Sequence, residues 1–157
     1  VYNHIVAEVE KVGDILNGVK LEIPRSTNEN NKRLRYYVSL QCLNLMITVV
    51  YENLLTQERK MYIAVEMEGN LLKDREIYRK IEFTEEEKEL AFSEHFTTTN
   101  EGWSHFTVKH YDYHEIDMSK LSEFIIDKLE NDHFLSIFRK LESFIDLESI
   151  GVVKVKV

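Results

Sequence analysis

Residues 110–117 read HYDYHEID. As extended backbone, this stretch puts His110, Asp112 and His114 on one side and Tyr111, Tyr113 and Glu115 on the other, because side chains alternate along a strand. Two imidazoles and a carboxylate side by side are ligands for a divalent metal, with water or a distant residue filling the fourth position. Under strict alternation Phe106 and Val108 continue the same face toward an apolar core. His-x-Asp-x-His completes none of the familiar metal-ligand spacings. The competing reading is a strand that leaves the core at Val108 and carries solvated polar residues. The expectation is no cofactor, with a divalent metal at His110, Asp112 and His114 as the alternative.

Other chemistry finds less support. A metal-dependent nuclease needs carboxylates whose oxygens converge on a cation, but the Glu-x-Lys at Glu58-Arg59-Lys60 falls in a polar turn. Glu66, Glu68 and Glu82 could meet across a hairpin, although like charges opposed on a sheet are destabilising. The five glycines are scattered, so no phosphate-cradling loop exists. No Gly-x-Ser-x-Gly occurs, and Cys42 has no nearby histidine in sequence. The acidic run TEEEKE at 84–89 could imitate nucleic-acid phosphates toward a basic partner, or could simply suit the positive end of a helix dipole. Trp103, Tyr111 and Tyr113 lie on a predicted strand where outward aromatics anchor protein contacts, and Phe138 belongs to an apolar helix face that could do the same.

The whole-chain balance narrows the partners. A formal charge of −8 argues against direct nucleic-acid binding, which rests on Lys and Arg neutralising phosphates. Lys32, Arg33 and Arg35 beside Tyr36 and Tyr37 are the closest candidates for a local basic and aromatic patch, and a charged strand entry explains them equally well. The least charged run, Tyr36 to Tyr51, is too short and too polar to span a bilayer, so no membrane association is expected. A single cysteine in an apolar run suits a reducing, cytoplasmic compartment. No secretory signal pattern opens the chain, which begins with Val rather than Met and leaves room for residues upstream.

The elements that would position these groups follow from periodicity. At 157 residues, with 43% hydrophobic and 31% charged residues and one proline, the chain suits one folded domain, 1–157. Tyr2, Ile5, Val9, Val12 and Leu16 recur at helical spacing ahead of Asn17-Gly18, predicting an N-terminal helix. Val19 to Ile23 suits a short strand, and 26–31 an exposed loop. LRYYVSLQ, NLMITVVYEN and KMYIAVEME are rich in β-branched and aromatic residues and predict three antiparallel strands. In the third, Met61, Ile63, Val65 and Met67 are expected to face the core, and Tyr62, Ala64, Glu66 and Glu68 to face out. REIYRKIEF reads as a further strand, Thr84 with Glu87 as a capping box opening a short helix to about Phe96, and WSHFTVKHYDYHE as the last long strand. In the tail, the apolar positions before and after Asn131-Asp132 centre on opposite sides of one helical wheel, which predicts two helices or a sharp break. GVVKVKV suggests a terminal edge strand over 148–157, guarded by lysines.

The sequence therefore predicts an α+β domain, with a mainly antiparallel sheet of about five strands and an N-terminal helix and a C-terminal helical pair packed on it. The leading functional expectation is a non-enzymatic protein-interaction or regulatory domain, with a protein partner or self-association. A metal-dependent hydrolase or nuclease-like domain using His110, Asp112 and His114 is the alternative, and an acidic nucleic-acid mimic a further one.

Overall fold

In the computed structural model the described residues are 19–22, 32–39, 42, 44–52, 60–96, 103–112, 116 and 118–148. The strands are β1 (Val19–Glu22), β2 (Lys32–Ser39), β3 (Leu45–Glu52), β4 (Lys60–Glu68) and β5 (Trp103–Asp112), paired antiparallel in sequence order. Helix α1 is Glu85–Leu90, α2 is Leu121–Asn131 and α3 is Phe134–Glu148. No helix among the described residues is long and apolar enough to cross a membrane.

The expected sheet of about five strands carrying helices is corrected. The layer that forms the core is a three-stranded antiparallel sheet, β3, β4 and β5, and with its helices it makes an α+β arrangement. β1 and β2 continue the pairing beyond β3. The predicted strand REIYRKIEF does not join any sheet. Gly69, at φ 66, turns the chain out of β4, and Gly69–Leu72 and Arg75–Lys80 wind into 3-10 turns. The two turns face the core through Leu71 and Tyr78, both buried, and the Tyr78 hydroxyl donates to the Leu71 carbonyl at 2.8 Å. Burial pushes the Tyr78 phenol well above its usual range, so it stays a donor. The predicted N-terminal helix and the terminal strand of 148–157, apart from Glu148, lie outside the described residues.

The core fills between one sheet face and the helices. Ile47, Val49, Ile63 and Val65 from the sheet meet Ile125, Leu129, Phe138 and Leu141 from α2 and α3, all fully buried. The two tail helices separate at Asp132-His133, where His133 takes a left-handed φ of 67 that ends α2. That change of direction lets both apolar stripes reach the same core. Helix α1 starts with the reciprocal cap that Thr84 and Glu87 imply: Glu87 N–H donates to Thr84 Oγ1 at 3.2 Å, and Thr84 N–H to Glu87 Oε1 at 2.8 Å. It ends well before Phe96, because Ala91 is extended and Phe92 is left-handed at φ 57.

The opposite face of β4 also departs from expectation. Ala64 and Glu66, read as outward, are fully buried, as is Thr48 on β3. A strand buried on both faces loses the in-and-out alternation of polarity on which the outward assignment relied.

Candidate functional site

The chemistry-bearing side chains gather on β4 and β5, and a β-bulge decides which face each one takes. The register runs Glu66↔His105 and then Val65↔Thr107, so Phe106 is the extra residue on β5. Facing residues of a pair share a side. Trp103 and His105 therefore lie with Glu68 and Glu66, while after the bulge Val108, His110 and Asp112 lie with Ala64, Tyr62 and Lys60. Phe106 turns into the core with 0% exposure. Strict alternation placed Phe106 and His110 together, and the bulge separates them.

On this face Glu66 is the centre. Its side chain is 1% exposed, with Oε1 2.7 Å from His105 Nε2 and Oε2 accepting from the Thr48 hydroxyl at 3.0 Å. With Glu66 ionised the carboxylate only accepts, and the proton of this contact then sits on Nε2. His105 is 25% exposed and stacks obliquely near Tyr62 at 5.8 Å, and Tyr62 in turn lies 5.3 Å from His110. His95 adds an edge contact to His105 at 6.2 Å. The loop that carries His95 is fastened to the bulge: Ser93 donates its N–H to the Phe106 carbonyl and its hydroxyl to the His105 carbonyl, and Ser104 Oγ donates to the His95 carbonyl.

A carboxylate behind an imidazole is the orienting half of a catalytic pair, but it needs a nucleophile or substrate proton beyond it. Here the His105 ring's hydrogen bond runs to Glu66, and no hydroxyl or thiol among the described residues bonds it. The pair links β3, β4 and β5 through buried polar groups. Glu66→Ala would strand the Thr48 hydroxyl and the His105 N–H, and should cost about 2–3 kcal/mol in chemical denaturation. A loss under about 0.5 kcal/mol would show the pair to be structurally idle.

The sequence-predicted residues divide. His110 and Asp112 are exposed on one face, as expected, whereas His114 lies outside the described residues. Among the described residues no three His, Cys, Asp or Glu side chains converge as a metal site. Trp103 is half-buried on the face with His105. Tyr111 takes the helix side, where its hydroxyl donates to Asp132 and its ring meets Phe124 edge-on at 6.0 Å. Burial and the Asp132 carboxylate push the Tyr111 phenol above its ordinary range. Burial tends to raise the Asp132 carboxyl, but the Tyr111 hydrogen bond and the Lys109 charge prevail and lower it. Tyr113 lies outside the described residues, and Phe138 is fully buried in the core.

Glu66, Glu68 and Glu82 do not face one another across a hairpin, because the segment before Glu82 is a 3-10 turn. In the acidic run, Glu85, Glu86 and Glu89 are exposed, but Glu87 is buried and paired with Lys140 of α3. Cys42 is buried, and burial raises its thiol pKa, which disfavours the reactive thiolate. Sequence reasoning missed the Glu66–His105 pair. The available signal was a glutamate, Glu66, flanked by the apolar residues of IAVEM, with a histidine on the following strand.

Compared with family models, curated proteins and solved structures, the chain gives no match.

Proposed function

We propose that this chain is a non-catalytic protein-interaction domain that self-associates through the outer face of β4 and β5. The observation that carries the reading is the row of aromatic and imidazole rings there, Trp103, His105, Tyr62 and His110, each at least partly exposed and following the strands. Rings of this kind supply contact area at low entropic cost and dominate binding hot spots. Glu66 and His105 in the same region are occupied with linking strands, which favours binding over catalysis by that pair.

A second copy is the partner of simplest fit. His110 and Asp112 are both exposed and project on one side of β5, so an antiparallel two-fold pairing centred on Tyr111 sets each imidazole against the other copy's carboxylate. A reducing intracellular setting belongs to the same proposal and is supported by the single, buried cysteine, Cys42.

His110→Asp, which replaces the attractive pairing by repulsion, and Trp103→Ser should each weaken self-association by about tenfold or more, with melting unchanged for the exposed position 110. Both variants associating like the parent chain would remove this face from the interface. The metal alternative is checked by elemental analysis of protein purified without chelator or polyhistidine tag. About one ion per chain, lost when His110 and His114 are both changed to Ala, would replace this reading with a metal-dependent one.

A further inference from the structure

Away from that face, a cavity of about 360 Å³ opens beside α1, lined by Arg79, Ile81, Phe83, Lys88, Ala91 and Phe92. Its size is that of a small-ligand site. The apolar wall is rigidly backed, since Phe92 lies 4.8 Å from the core ring of Phe106 and 6.2 Å from Phe83. Phe92 holds a left-handed φ of 57, an uncommon conformation for a bulky side chain, and such outliers concentrate at ligand clamps and active sites. The rim carries two cations in a chain of net charge −8. Arg79 lies over the Phe92 ring at 4.5 Å.

Both cations are held by exposed neighbours on their own turns, Arg79 by Glu76 at 2.8 Å and Lys88 by Glu85 at 3.1 Å, with every side chain at least 59% exposed. Exposed pairs of this kind contribute little, so an incoming anion can take their place.

We infer that this cavity is a binding site for a small amphipathic carboxylate, with an aryl or branched alkyl body against Ile81, Phe83, Ala91 and Phe92 and the carboxylate between Arg79 and Lys88. Arg79 supplies a planar fork for two-point contact, and Lys88 a mobile point charge. The site shares no residue with the β4 and β5 face, so its fate is independent of self-association.

The test titrates 3-phenylpropionate against its neutral counterpart 3-phenylpropanol, following shifts of the Phe83 and Phe92 ring protons by NMR. The acid is expected to bind saturably and about tenfold more tightly than the alcohol. In an Arg79→Ala/Lys88→Ala double variant with unchanged melting, that preference should vanish while weak binding of the alcohol persists. Equal binding of acid and alcohol by the parent chain, no saturation by either, or a preference surviving in the double variant would each overturn the assignment.

Discussion

Replacing Phe106 by Ala is expected to lower stability by about 3–5 kcal/mol, the range for removing a fully buried aromatic ring. The ring sits at the bulge of β5 with 0% exposure, 4.8 Å from Phe92, 5.1 Å from Phe96 and 5.9 Å from Phe83. It joins the sheet to the 3-10 turn and to the segment after α1, so the void left by Ala has rigid walls and collapses poorly. For a chain of this length the loss lowers the melting temperature by roughly 10 °C. A drop of only about 1 kcal/mol would mean that Phe106 is not the keystone of the aromatic cluster and that the bulge register is wrong.

The second large effect is acid-dependent. Burial alone would raise the Glu87 carboxyl, but hydrogen bonds from Lys140, Ser136 and the Thr84 backbone, with the Lys140 charge, outweigh it and hold the pKa at about 2 against an ordinary 4.5. The depressed carboxylate stabilises the fold while it is ionised in both states. That contribution is complete above about pH 4.5 and is lost as pH falls toward 2. Because Lys140 is 34% exposed and partly screened, the expected loss is about 2 kcal/mol rather than the full value of the shift. Glu87→Gln should flatten this part of the acid limb in urea melts taken from neutral pH downward. An unchanged acid limb in that variant would show that the ion pair between α1 and α3 does not couple folding to pH.

Glu87 also shows what local pattern can reveal. The capping box was legible because both partners lie within one turn, and the break at Asp132-His133 because two apolar stripes fell out of phase. The partner Lys140 was not legible, since a contact across 53 positions leaves no local trace. REIYRKIEF was misread because Ile77, Ile81 and Phe83 permit either period, and the Tyr78 hydroxyl closing on Leu71 decides it. Ala64 and Glu66 were misplaced for a different reason. A period of two identifies opposite faces of a strand but does not say whether the second face is covered.

The candidate site was half legible. His110 and Asp112 do share an exposed face, and Tyr111 does take the other. The inserted Phe106 reverses the phase between Trp103 and Tyr111, so residues that strict alternation groups into one row are split between the two sides of the sheet. A bulge is a property of the pairing between strands, and β5 alone carries no sign of it.

The central claim is that the outer face of β4 and β5 joins two copies of the chain. The most direct measurement is the mass in solution by light scattering, from low to high micromolar concentration, on the full chain without added metal. A mass rising from 18.7 kDa toward a dimer, with His110→Asp shifted to higher concentration, is the predicted result. A mass that stays at 18.7 kDa throughout would contradict it.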